Sequence, residues 1–187
     1  NWKEEHVLSH LADARGILLA DGYKGYAKLY LPDTGGVPRL REAACWAHLR
    51  RDFHDFWTST KSEIAREALD RIGKLYDIER DINGKAADAR YAARQKLSQP
   101  KVTAFFVWSE QQLLGIPGKS DLAKAFRYGL SRRAAFSLFL TDGRVALDNN
   151  PAERALRPIG VGRNYAPQVI MCSSRTEEHI SCGAVGR

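Results

Sequence analysis

The chain has 187 residues, 44% of them apolar and 27% charged, and its 29 Lys and Arg against 22 Asp and Glu leave a net charge of +7. That length holds one domain, or one domain with a sizeable insertion, and the composition is that of a folded chain. No apolar run approaches the roughly 20 residues that cross a bilayer, and the charged stretch from Asn1 to His10 does not read as a secretory signal.

A polar, helical opening leads into Gly16-Ile17-Leu18-Leu19-Ala20, a short apolar run that reads as a buried strand. Asp21-Gly22-Tyr23 ends it, Tyr23 to Tyr30 has the length of a short helix, and Pro32-Asp33-Thr34-Gly35-Gly36 is a loop. Glu42 to Ala47 reads as a second strand, with Ala43, Ala44, Cys45 and Trp46 as its apolar part. From about Leu49 to Leu140 the pattern is helical. Ile64, Ala68, Ile72, Leu75 and Ile78 recur at three- and four-residue spacing, one face of an amphipathic helix. Asn83-Gly84 is a turn, and Ala86 to Leu97 is an Ala-rich polar helix. Pro100 opens another, with Val102, Phe105, Phe106 and Leu113 as its buried side. Gly115-Ile116-Pro117-Gly118 breaks the pattern, and Ser120 and Ser131 are placed to cap helices over 121–130 and 132–140. Two strands followed by about ninety residues of helix predict a helical insertion. After the turn Thr141-Asp142-Gly143 comes Asp148-Asn149-Asn150-Pro151-Ala152-Glu153-Arg154. There Asn150 can cap, Pro151 fits the first helical position and Glu153 the third, in a helix stopping near Pro158. The tail from Asn164 to Arg187 has too little periodicity to assign.

A net positive charge of this size suits an anionic partner, and nucleic acid is the commonest. The cysteines Cys45, Cys172 and Cys182 form an odd, sparse set, which predicts reduced thiols and a cytoplasmic location. Asp21 follows an apolar strand, at the edge of an open α/β sheet where catalytic groups gather, although Asp-Gly is also an ordinary turn. Glu153 stands among Arg154, Arg157 and Arg163, which suits a carboxylate-held metal beside a phosphate backbone. The same Glu also satisfies a capping box with no chemistry attached. Cys45-Trp46-Ala47-His48 is a C-x-x-H unit, and His179 with Cys182 shares its spacing, but the usual zinc spacings are not met. A buried thiol and a hydrogen-bonded imidazole are the alternative. Trp46, Trp57 and Trp108 read as core. Phosphate-loop, esterase and zinc-peptidase motifs are absent.

Taken in order, Leu19 to Tyr26, Ala44 to Arg51, Phe139 to Arg144, Asp148 to Pro158 and Gly162-Arg163 resemble the insertion-sequence-sixty-six family of bacterial transposases, from about Gly16 to Arg163. The resemblance implies an α/β fold: a partial RNase H-like catalytic core interrupted by a mostly α-helical insertion. Residues 1–50 would be part of that core, 51–140 the insertion, 141–163 the region of the catalytic-core helix and 164–187 a divergent tail. It implies DNA strand cleavage and transfer by a DDE mechanism, with two Mg²⁺ held by two Asp and a Glu. Asp21 matches the middle Asp and Glu153 the Glu. The first Asp is expected upstream, so that this chain alone is not expected to catalyse. Cys45 and His48 match a supporting C-x-x-H unit, and Arg50, Arg51, Arg154, Arg157 and Arg163 are the residues implied to hold DNA phosphates. The implied partners are transposon ends and target DNA, with a homo-oligomer as the complete enzyme and no membrane. Two departures stand out: Arg133 occupies a position where the family has Trp, and the sequence after Arg163 leaves the family pattern. The alternatives are a basic DNA-binding remnant without catalysis and a zinc-stabilised module built on Cys45, His48, His179 and Cys182.

Overall fold

Strand β1 spans Gly16–Ala20 and is buried from Ile17 onward, as an unbroken apolar run requires. The computed structural model describes residues 9, 11, 13–22, 24–32, 36, 38–150 and 170–172. These fall into two compact units, one reaching up to Cys45 and resuming at Asp148, the other Trp46–Leu147.

Among the described residues of the first unit β1 is the central strand of three. Strand β2, Leu40–Ala44, pairs with it in parallel, Gly16 opposite Leu40 and Ala20 opposite Ala44. Strand β3, Ile170–Cys172, pairs antiparallel on the other side, Ile17 opposite Cys172. A parallel pair needs a crossover, and here it carries a 3-10 helix over Lys24–Tyr30. Tyr26 and Leu29 from that helix pack with Leu11, Leu18, Ala20 and Leu40 into the unit's core. An isolated bridge between Pro32 and Pro38 closes the loop that follows.

The strand expected over 42–47 starts two residues earlier and ends three earlier, and Trp46 already begins a helix. The apolar run from Ala43 to Trp46 is split between the end of one element and the start of the next, so hydrophobicity alone could not place the boundary.

The second unit is helical: α1 (Trp46–Thr60), α2 (Glu63–Asp81), α3 (Ala87–Ala93), α4 (Gln99–Gly115), α5 (Asp121–Ser131), α6 (Arg133–Ser137) and a 3-10 turn over Leu138–Leu140. Its core is aromatic. The Trp46 ring meets Phe105, Phe136 and Phe139 edge-on at 5.4, 5.1 and 6.5 Å, and Phe53 and Trp108 meet Phe126 at 5.0 and 5.5 Å. These spacings are those at which ring quadrupoles attract. The Trp46 indole donates to the Phe136 carbonyl at 3.0 Å, which satisfies its only polar atom. Helix α2 buries Ala65, Ala68, Ile72, Leu75 and Ile78, the face its spacing predicts, and Ser62 caps it by accepting from the Ala65 N–H at 3.4 Å. Ser120 caps α5 in the same way through Ala123, at 3.1 Å. The two ends of the unit meet, the Trp46 N–H donating to the Leu147 carbonyl at 3.2 Å.

Three expectations change. Helices α3 and α4 form one continuous run joined by a π-helical turn over Arg94–Ser98, rather than separate helices with Pro100 opening the second. The wider turn re-registers the backbone hydrogen bonds just ahead of Pro100, which has no N–H to give. Leu113 is half-buried rather than core. Ser131 ends α5, its hydroxyl donating back to the Tyr128 carbonyl at 3.1 Å, and Arg132 precedes α6 instead. Arg133, where the family resemblance has Trp, lies over the Phe106 ring at 5.3 Å and pairs with Glu110 at 3.4 Å.

The π turn places Arg94 fully inside the unit. Its Nε and Nη2 each donate to the Glu79 carboxylate at 2.7 Å, and its Nη1 donates to the carbonyls of Phe139 and Asp142 at 2.8 and 3.1 Å. Gln95 adds a bond to the Leu140 carbonyl at 2.7 Å. The expected turn at 141–143 is therefore fixed by side chains from another helix as well as by its own Asp142, whose carboxylate accepts from the Arg144 backbone N–H at 2.8 Å. Gly143 sits directly on the start of α3. A Cβ there would overlap the carbonyl oxygen of Ala87 and lie 2.6 Å from its carbonyl carbon. Both partners are backbone and cannot swing aside. Gly143→Ala is expected to cost about 1–3 kcal/mol or more, as overpacking of a rigid contact does. A thermal melt of the variant measures it, and an unchanged melting temperature would contradict the close approach.

Candidate active site

Asp21 comes directly after β1, in a bend, half-buried. Gly22 follows with φ 77°, in the left-handed region that glycine adopts without strain. The carboxylate therefore stands where the parallel strands β1 and β2 both end, since Ala20 is opposite Ala44. At this edge the strands' last carbonyls and N–H groups run out of ladder partners, and loops converge. One step beyond the ladder, the Cys45 N–H donates to the Ala20 carbonyl at 3.3 Å, so the pairing continues to the residue beside Asp21.

Cys45 also brings in a distant piece of chain. Its thiol is fully buried and donates to Asn149 Oδ1 at 3.0 Å, across 104 positions of sequence. Asn149 is 1% exposed. Next to it Asp148 accepts from the Asn150 backbone N–H at 3.1 Å and from the Asn150 side-chain amide at 2.8 Å, a local turn closed by a carboxylate. Hence the Asp148-Asn149-Asn150 segment is built into the strand edge that carries Asp21, and Glu153 lies three residues further along the chain. Glu153, Arg154, Arg157 and Arg163 fall outside the described residues, as do the helix expected over 151–158, His179 and Cys182.

The other residues singled out from the sequence lie on α1, in the helical unit. Arg50 and Arg51 are exposed. His48 is half-buried, and its Nδ1 has no hydrogen-bond partner among the described residues. One turn on, partial burial holds the Asp52 carboxyl above the ordinary carboxylate range; His48 and Arg51 oppose that rise and Asp55 adds to it. Trp46 and Trp108 are core as expected, whereas Trp57 is half-buried under the Lys61 ammonium, 4.8 Å from the ring centre.

Among the described residues no three His, Cys, Asp or Glu side chains converge as a metal cage. Asp21 offers hard carboxylate oxygens of the kind Mg²⁺ prefers. Cys45, by contrast, uses its thiol proton on Asn149, and a zinc ligand would have to be a thiolate. Among the described residues no helix is long and apolar enough to cross a membrane. Asp148 and Asn149 carried no assigned role in the sequence reading. The signal available was the run of three short polar residues Asp148-Asn149-Asn150, which favours local side-chain-to-backbone bonding.

The chain matches a protein family described as Transposase IS66 family over residues 1–171. Three proteins of Sinorhizobium fredii are similar to it. Uncharacterized protein y4qI is 41% identical over 159 residues, covering 84% of this chain and 30% of that protein. Uncharacterized protein y4hP is 39% identical over 171 residues, covering 85% and 31%. Uncharacterized protein y4jD is 35% identical over 155 residues, covering 82% and 30%. The chain thus spans about a third of the length of these relatives. No solved structure matches it.

Proposed function

The chain belongs to the IS66 family of transposases, and from that premise we propose that it carries two of the three catalytic carboxylates, Asp21 and Glu153, of a DDE transposase with an RNase H-like core. The observation that carries this reading is the Cys45–Asn149 bond, which ties the approach to Glu153 to the strand edge bearing Asp21. Asp21 and the Asp148-Asn149-Asn150 segment, far apart in sequence, are thereby brought to one edge of a parallel pair.

Asp21 and Glu153 would hold two Mg²⁺, whose chemistry is to activate a water or 3′-hydroxyl and to stabilise the leaving oxygen of an in-line phosphoryl displacement. The residues of the chain supply the rest. Asp21 would be presented at the β1 end by the turn that Gly22 makes. Arg154, Arg157 and Arg163 beside Glu153, and Arg50 and Arg51 on α1, would hold DNA phosphates and set the register of the backbone. The helical unit would be an insertion within the catalytic core. The substrates would be transposon ends and target DNA in the cytoplasm, handled by an oligomer of the complete enzyme.

A complete transposase containing this chain, incubated with labelled transposon-end duplex, is the test. Cleavage and joining in Mg²⁺, with binding but no cleavage in chelator, are the expected results. Salt-sensitive binding with no cleavage in either condition would overturn the catalytic reading and favour a basic DNA-binding remnant, which the net charge of +7 alone would support.

A further inference from the structure

We infer that the outward face of α4 is a docking surface for a second copy of this chain, with the two helices lying antiparallel. Helix α4 is apolar on two sides. One side, with Val102, Phe105, Phe106 and Trp108, fills the core of the helical unit. On the other side Leu97, Pro100, Ala104, Val107, Gln111 and Leu114 are all exposed among the described residues, Val107 by 43% and Leu114 by 90%. Apolar residues exposed singly are ordinary. Here they fall into one uncharged line at alternating three- and four-residue steps, from the π turn to the end of α4, which is the pattern of a helix-pair seam. A helix that is apolar on both faces is one that is covered on both.

The seam is its own complement when reversed. Laid antiparallel on a second copy, Leu97 meets that copy's Leu114, Pro100 meets Gln111 and Ala104 meets Val107, and a two-fold axis repeats each pair beyond the centre. Leucines close both ends, and the small Ala104 beside Val107 lets the backbones approach in the middle. A parallel pair stacks Ala104 on Ala104 instead and leaves the middle underfilled. Charge selects the same direction. Lys96 and Lys101 flank the start of the seam and Glu110 its end. Antiparallel packing sets the basic end of one helix along the acidic end of the other and opposes their dipoles, whereas parallel packing sets like beside like. The contact of Glu110 with Arg133, at 3.4 Å, is exposed and leaves the carboxylate open to a second cation. A partner of unrelated sequence would require no such symmetry. The family resemblance implies an oligomer but no surface; the face and the direction come from this helix alone.

The test uses the complete transposase, made separately as Leu97→Cys and as Leu114→Cys. Each protein alone, the two mixed, and wild type as background are treated with a short bis-maleimide. Both positions are exposed, so neither change disturbs the core. The mixture is expected to give a covalent dimer in which the two introduced thiols are joined, identified by the mass of the linked peptides. Each variant alone is expected to stay at background, because two copies of either position lie about 25 Å apart along antiparallel helices. Adding Val107→Glu to both proteins is expected to lower the mixed yield by about tenfold or more, since the seam would then bury an unpaired carboxylate. Dimers that form as readily from one variant alone would overturn the antiparallel pairing. A mixture at background, a link to another part of the same chain, or a yield indifferent to Val107→Glu would each overturn the docking of a second copy on this face. The reaction is run without DNA or Mg²⁺, so its outcome is independent of whether Asp21 holds a metal.

Discussion

Asp21→Asn in the complete transposase is expected to lower strand transfer by about a thousandfold, while transposon-end binding is unchanged or slightly tighter. The magnitude follows from the role. A carboxylate-held metal that stabilises charge in phosphoryl transfer contributes several kcal/mol, and about 4 kcal/mol is a factor of about 10³ in rate. Asn preserves the size and one acceptor oxygen of Asp but removes the charge that holds a divalent cation. It also tolerates the turn that Asp21 opens, so the fold should survive the change. Binding rests on cationic side chains and counterion release, neither of which the substitution weakens. The measurement is single-turnover joining of labelled ends, paired with an electrophoretic binding assay. Activity within about tenfold of wild type would rule out Asp21 as a metal ligand, because a loss that small corresponds to only about 1.4 kcal/mol.

The second large effect is on stability. Arg94→Ala is expected to destabilise the helical unit by about 3–5 kcal/mol, the usual consequence of removing one partner of a buried ion pair. The guanidinium is 0% exposed and donates to four acceptors, two on Glu79 and one each on Phe139 and Asp142. Alanine leaves Glu79 with Arg90 alone, at 3.3 Å, and leaves two carbonyls without that donor. Lysine does not substitute, since a single ammonium cannot reproduce a planar fork spread over these acceptors. For a unit of this size each kcal/mol is worth about 4 °C, so a fall of roughly 12–20 °C is expected by far-ultraviolet circular dichroism. A change of under about 4 °C would show that the network contributes little beyond an exposed pair. Pairing Arg94→Met with Glu79→Leu should recover part of the loss, because the isolated charge is then removed as well.

Much of this architecture was legible in the sequence where one physical signal dominated. The β1 run from Gly16 to Ala20 is apolar throughout and bounded by glycines, and it forms the expected strand. The stripe on α2 and the cap at Ser120 follow from spacing and side-chain chemistry, whereas Ser131, expected to cap a helix, ends one instead. Errors came where two signals overlapped. Ala43 to Trp46 is apolar across a strand-to-helix junction, and Pro100 follows a π turn that sequence periodicity does not encode. The buried Arg94 was invisible for a different reason. Arg is ordinarily a surface residue, and only the convergence of Glu79, Phe139 and Asp142 allows it inside. At the site, Asp21 could be placed at a strand end from hydrophobicity alone. The tie between Cys45 and Asn149 could not, because pairing across the whole helical unit leaves no local pattern in either segment.

The hydrogen bond that joins Trp46 to Leu147 has a kinetic corollary. Closing the contact between Cys45 and Asn149 from an unstructured chain means closing a loop of 104 residues. Once the helical unit has formed and its ends are in register, the loop left to close is only a few residues long. On the logarithmic dependence of closure entropy, that difference is worth about 3 kcal/mol. A route to the strand edge through the helices, whose contacts are local, is therefore expected to be the faster one. The helical unit would in this sense act as a folding scaffold for the Asp148-Asn149-Asn150 segment: a chain that assembles it first searches a far smaller space for the rest.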